Sequence, residues 1–169
     1  MSMNALEDMF EHKLRQQYYA ETQLVDELDH MARMADNEQL SDGMAEHRDE
    51  TRDHVSRLET VFDEIGSTPA PIEDAVVDGL HEERIELDKS IDDAGMRDMG
   101  YMTAGMMTER VEMTAYEGLE LMADRIGYGS EVMDPLSANR EEEKSAFREL
   151  EAMSESSEMR SFWDRITPS

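Results

Sequence analysis

The chain has 169 residues, 38% of them hydrophobic, with no long apolar run, which predicts one soluble domain large enough to bury a core. Its 42 acidic against 16 basic residues give a net charge of -26, a field that repels polyanions and argues against binding a nucleic-acid backbone. There is no cysteine, so disulfides, thiolate ligands and thiol nucleophiles are excluded.

The start, MSMNALEDMFEHKL, is amphipathic and lacks a basic segment followed by an apolar block, so neither signal peptide nor membrane span is expected, and the expected location is cytoplasmic. Lysine occurs only at Lys13, Lys89 and Lys144, and arginine carries most of the positive charge. Such an acidic surface suits a cytosol of high ionic strength, where screening tames self-repulsion, and predicts a salt-adapted source.

Residues 4 to 35 read as a first helix, with Leu6, Phe10, Leu14, Tyr18, Leu24, Val25, Leu28 and Met31 on one side. Glu21 lies on that side, seven residues after Leu14 and seven before Leu28, whereas Asp26, Glu27 and Asp29 read as solvated. After the turn DNEQLSDG a second helix runs to about Ile65, where GSTPAP breaks it. Met44, Val55, Leu58, Phe62 and Ile65 form its stripe, and His47, Glu50 and His54 share that face at H-x-x-E-x-x-x-H spacing. His12, His30 and His81 lack such company and read as surface residues.

The acidic segment IEDAVVDGLHEERIELDKSIDD predicts a third helix with no site, serving as a crossover. AGMRDMG reads as an interruption before a long helix over 99–126, which stops at Gly127. Here Met102, Met106, Met113, Tyr116 and Leu119 make an apolar stripe that contains Glu109 and Glu112. A last helix over about 130–155 is faced by Leu136, Phe147, Leu150 and Met153. Glu143 stands in that face and Glu142 one step round. The expected domain is residues 1–155. A tail over 156–169 carries Phe162 and Trp163, which would cover an apolar patch of the same or a neighbouring subunit.

Burying an ionised carboxylate costs several kcal/mol unless a cation, a proton or hydrogen-bond donors compensate it. Four long helices each offer inward acidic ligands: Glu21, then Glu50 with His47 and His54, then Glu109 with Glu112, then Glu143. That pattern predicts an all-α, ferritin-like four-helix bundle with a long crossover containing an additional helix, and a metal in its core.

The stretches LEDMFEHKLRQQYYAETQLVDEL, EHRDETRDHVSRLETVF, TERVEMTAYEGLELMADRIGYG and EEEKSAFREL span nearly the whole domain, and on them the chain resembles the YciE/YciF family. That resemblance implies a rubrerythrin-related bundle, a role in stress, and a homodimer packed along helical faces. Two positions depart from the usual di-iron pattern: Ala146 and Phe147 stand where the last helix would supply a histidine, and Thr51 replaces the glutamate three residues before His54. Few imidazoles among many carboxylates favour iron or manganese.

The expected site is therefore dinuclear, bridged by Glu50 and Glu143, with Glu21, Glu109 and Glu112 as terminal ligands and with Tyr18 or Tyr116 as a nearby phenol. Peroxide or dioxygen would be its substrate. The competing expectation is a metal-free bundle acting through assembly or partner binding, its inward acids protonated or satisfied by Arg110, tyrosines and histidines.

Overall fold

The computed structural model describes residues 4–156. They form five helices: α1 (Leu6–Met34), α2 (Glu38–Glu64), α3 (Ala75–Ser90), α4 (Ala94–Ile126) and α5 (Ser130–Ser154). The predicted tail, with Phe162 and Trp163, lies outside the described residues.

Each long helix buries a seam whose members alternate three and four residues apart, the spacing that keeps a stripe facing its neighbours in a bundle. In α1 it runs Phe10, Leu14, Gln17, Glu21, Leu24, Leu28, Met31, and in α2 Leu40, Met44, His47, Thr51, His54, Leu58, Val61. In α4 it is Met102, Gly105, Glu109, Glu112, Tyr116, Leu119, Ala123, and in α5 Val132, Leu136, Asn139, Glu143, Ala146, Leu150. Leu6, Tyr18, Val25, Val55, Met113 and Phe147, read from sequence as stripe members, stand on the flanks or outside instead. Polar residues or alanine (Gln17, His54, Glu112 and Ala146) hold the true seam positions beside four of them, so an apolar count alone misplaces the stripe.

The apolar residues gather at the two ends of the bundle. One cluster joins the end of α1 (Leu24, Leu28, Met31) to the starts of α2 and α4 (Leu40, Met44, Tyr101, Met102) and to Leu150 of α5. The other joins the start of α1 (Phe10, Leu14) to the ends of α2 and α4 and to Val132 and Leu136 of α5. The order is therefore up, down, down, up. Because α2 ends at the opposite pole from the start of α4, the chain must travel back along the bundle, and α3 lies on that return path.

α3 buries no residue of its own and is held on the α1–α4 flank by polar contacts. Arg84 grips Glu27 through two nitrogens at 2.6 and 3.0 Å and reaches Asp88 at 2.6 Å. Asp88 also meets His30 at 2.8 Å, and His81 pairs with Glu27. Glu27 is thus a docking group for α3, not the solvated residue expected, while His30 and His81 stand at the surface as expected and also hold α3. AGMRDMG does not interrupt α4: Asp93 caps its start by accepting from the Met96 N–H at 2.9 Å, and helix continues from Ala94. Within that segment Asp98, only 3% exposed, accepts from the Asp36 and Asn37 N–H groups at 3.0 and 2.8 Å and so fixes the α1–α2 turn. Gly127, with φ of 90°, closes α4 in the left-handed conformation that glycine adopts without strain.

Candidate metal centre

Between the two apolar clusters lies one layer of polar side chains, contributed by all four long helices. Glu21, His54, Glu109, Glu112 and Glu143 are each at most 2% exposed, and His47 is 6%. Since the seams place these residues at the bundle's mid-height, the clusters on either side seal the layer from both poles.

Two groups of potential ligands share Glu143. Glu21, His54 and Glu143 form one, and His47, Glu109 and Glu143 the other, with ligand atoms inside each group within 4.8 Å of one another. Glu143 Oε1 is 2.8 Å from His54 Nδ1, and its Oε2 is 3.3 Å from His47 Nε2. His47 Nε2 also lies 3.2 Å from Glu109 Oε1, and His54 Nδ1 lies 3.3 Å from Glu21 Oε2. Close as they are, these atoms are not all satisfied: His47 Nε2, Glu109 Oε2, Glu112 Oε2 and both oxygens of Glu143 have no partner in hydrogen-bond geometry. Buried polar atoms almost always have one, so five such atoms converging on one layer set it apart from the rest of the core.

The outward nitrogens of both histidines face a second rank of carboxylates. His54 Nε2 lies 2.9 Å from Glu142 Oε2, which Arg57 also grips at 2.7 Å, and His47 Nδ1 lies 3.4 Å from Glu50 Oε2. Metal-ligating imidazoles are commonly oriented in this way. The Glu50 side chain is 44% exposed at the rim and joins neither ligand group, so of the two carboxylates expected to bridge, only Glu143 is shared by both groups. The cause is angular: Glu50 is one residue short of Thr51, and Thr51 holds the seam.

Two uncharged residues absent from the expected ligand set complete the layer. Gln17 Nε2 donates to Glu21 Oε1 and Glu112 Oε1, both at 3.2 Å, and Asn139 Nδ2 donates to the Tyr116 hydroxyl at 2.8 Å. Tyr116 in turn donates to Glu21. Seam spacing finds both, because Gln17 lies four residues before Glu21 and Asn139 four before Glu143. Tyr18 is elsewhere, donating to Glu59 at 3.0 Å, and Arg110 stacks on the Phe147 ring 4.0 Å from its centroid, so neither serves the buried acids.

The buried groups of the layer shift one another's proton affinities. Burial opposes charge on His54, but Glu21 and Glu143 outweigh it and push the imidazole up to about 10. Burial likewise opposes charge on His47, yet Glu109 and Glu143 raise it well above its ordinary value. Burial raises Glu109 strongly, with the charge of Glu143 adding to the effect, and raises Glu112 together with the charges of Glu21, Glu143 and Glu109. Glu143 shows the reverse: burial would raise it, but the imidazoles of His47 and His54 close beside it hold it well below the carboxylate range.

The donor set fits a pair of divalent ions. Two imidazoles and the carboxylates of Glu21, Glu109, Glu112 and Glu143 are the ligand types that iron and manganese accept, and the four negative charges balance two doubly charged cations. Ala146, at the position where a histidine was expected, lines a cleft of mixed character that carries Glu46, Glu50 and Glu149 as well as His47 and Glu109.

Helices running up, down, down and up around a carboxylate and imidazole layer define a ferritin-like bundle. The chain belongs to the family described as Domain of unknown function (DUF892), whose model matches residues 5–161. It is 31% identical over 146 residues to Protein YciF of Escherichia coli (strain K12), covering 86% of this chain and 87% of that one. The crystal structure of the E. coli stress protein YciF superposes with a TM-score of 0.85 at 30% identity, covering 90% of this chain and 96% of the other. YcfI from Rhodopseudomonas palustris superposes with a TM-score of 0.86 at 32% identity, covering 89% and 95%. Among the described residues no helix is long and apolar enough to cross a membrane.

Proposed function

We propose that this chain is a stress-associated protein that holds a dinuclear iron or manganese centre and turns it on peroxide or dioxygen. The observation that carries this reading is the pair of buried ligand groups joined through Glu143, with both of that residue's oxygens lacking a hydrogen-bond partner. The description of YciF as a stress protein supports the physiological half.

In this reading Glu21 and His54 hold one ion, His47 and Glu109 hold the other, and Glu143 joins them, with Glu112 beside the pair. When bound, such a pair supplies two one-electron steps to a peroxide or dioxygen. The protein's own groups do the rest. Glu50 and Glu142 fix the rings of His47 and His54, and Gln17 holds Glu21 and Glu112 in place by its forked amide. Tyr116, donating to Glu21 and receiving from Asn139, keeps a phenolic proton at the edge of the layer. The apolar clusters exclude water on both sides.

Protein expressed with iron and manganese, then purified without chelator, should carry about two ions per chain by elemental analysis, as the paired ligand groups require. Less than one per chain would favour the second reading, a metal-free bundle acting through assembly. That alternative draws its support from the same geometry, since His47 and His54 can neutralise Glu143 unaided.

A further inference from the structure

Apolar clusters close the buried layer at both poles, so an ion can reach it only from the side. The side where α2 meets α5 is divided. Outside His54, which has no exposed side-chain surface, the Glu142 carboxylate is clamped by Arg57 at 2.7 and 3.0 Å, and Arg57 also donates to Asn139 at 3.0 Å. That half turns a fixed positive charge towards an arriving cation. Outside His47, which keeps 8% of its side chain exposed, the same two helices leave a cleft of about 50 Å³. The space takes an ion with a few waters and is too small for an organic ligand. Its lining joins three outer glutamates, Glu46, Glu50 and Glu149, to two members of the layer, His47 and Glu109. Among the described residues no lysine or arginine pairs with any of those three glutamates, and Glu50 has only His47. His47 Nε2 and Glu109 Oε2 are buried and lack a hydrogen-bond partner. The α1–α4 side offers no such approach: there the Gln17 amide is bound to Glu21 and Glu112, and Lys13 lines the groove.

We propose that this cleft is the passage by which divalent cations enter and leave the centre, with Glu46 and Glu149 gathering them and the His47–Glu109 group receiving each one first. Glu143, which turns one oxygen to each histidine, then hands one ion on to Glu21 and His54. The two halves of the centre therefore exchange at different rates: the ion beside His47 is labile and the ion beside His54 is slow. Ala146 sets the width of the passage, because a longer side chain in the cleft wall would fill so small a space. The passage rests on the dinuclear reading and adds to it an order of loading.

The test follows manganese(II) into and out of the full-length protein. Uptake by metal-free protein is read from the fall of the aqueous manganese spin-resonance signal, and release into excess EDTA from the metal left on the chain over time. Release should show two phases of one ion each, separated about tenfold or more in rate. The double variant Glu46→Gln/Glu149→Gln should take up manganese about tenfold more slowly at low ionic strength and reach the same final content, with the difference shrinking in 1 M KCl. Glu82→Gln/Glu83→Gln, which removes the same charge from exposed positions on α3, should load like the parent. Ala146→Leu should slow uptake and release together and leave the affinity unchanged, whereas damage to a ligand would weaken binding and speed release. A single release phase, parental uptake by both cleft variants, equal slowing by the α3 control, or a lower final content in Glu46→Gln/Glu149→Gln would each overturn the passage while leaving a two-ion centre standing. A protein that takes up no manganese would remove the passage and the dinuclear reading together.

Discussion

Replacing Glu143 by glutamine keeps the shape of the side chain and removes the one negative charge that both histidines face. In the metal-free protein Glu143 sits 2.8 Å from His54 Nδ1 and 3.3 Å from His47 Nε2, with no solvent exposure. Removing one partner of such a buried pair costs about 3–5 kcal/mol. The His54 shift sets an upper bound of the same order: raised from 6.5 to about 10 by Glu21 and Glu143 together, it contributes roughly 4 kcal/mol at pH 7, of which the variant removes the Glu143 share. For a domain of this size that lowers the melting midpoint by about 10–15 °C. In the same variant both ligand groups lose their common member, so metal content should fall from about two ions per chain to below one. The assays are thermal melting of chelator-treated protein at pH 7, and elemental analysis of protein expressed with iron and manganese. A folded Glu143→Gln that keeps two ions per chain would refute the shared-ligand assignment, and an unchanged metal-free midpoint would refute the ion pairing.

The metal-free protein should lose stability, and the metal should bind more tightly, as pH rises. His54 carries its extra proton in the folded state, so its contribution is complete below about 6.5 and disappears as pH climbs through about 10, while Glu109 and Glu112, raised by burial, act in the same direction. Urea midpoints and metal affinities at pH 6.5, 8 and 9.5 should therefore move in opposite directions, and parallel movement would contradict the proton assignment. Glu50→Gln and Glu142→Gln should each weaken metal binding by about 10–100-fold in a competition titration, because they orient imidazoles without ligating. Asp98→Ala should cost about 2–3 kcal/mol in chemical denaturation by leaving the Asp36 and Asn37 N–H groups unpaired, with metal content intact. With a net charge of -26, the melting midpoint should climb in rising KCl, and a flat response would count against salt adaptation.

The sequence by itself determined the number of long helices, the need for a crossover and the inward register of Glu21, Glu109, Glu112 and Glu143. Each of these is a matter of spacing along one helix, where a carboxylate seven residues from a leucine on either side has only one face to occupy. His47 and His54 were legible for the same reason. Which acids meet was not legible, because it depends on how four helices are rotated and stacked. A rotation of one residue puts Thr51 in the seam and Glu50 at the rim, and only the packed bundle gives Glu143 a histidine on each of its oxygens. Seam spacing places Gln17 and Asn139 inward, but what an uncharged amide does there depends on its partners on other helices. The docking of α3 through the pairs Glu27–Arg84 and His30–Asp88, and the anchoring of the α1–α2 turn by Asp98, were likewise decided by the tertiary structure, since each joins residues about sixty positions apart.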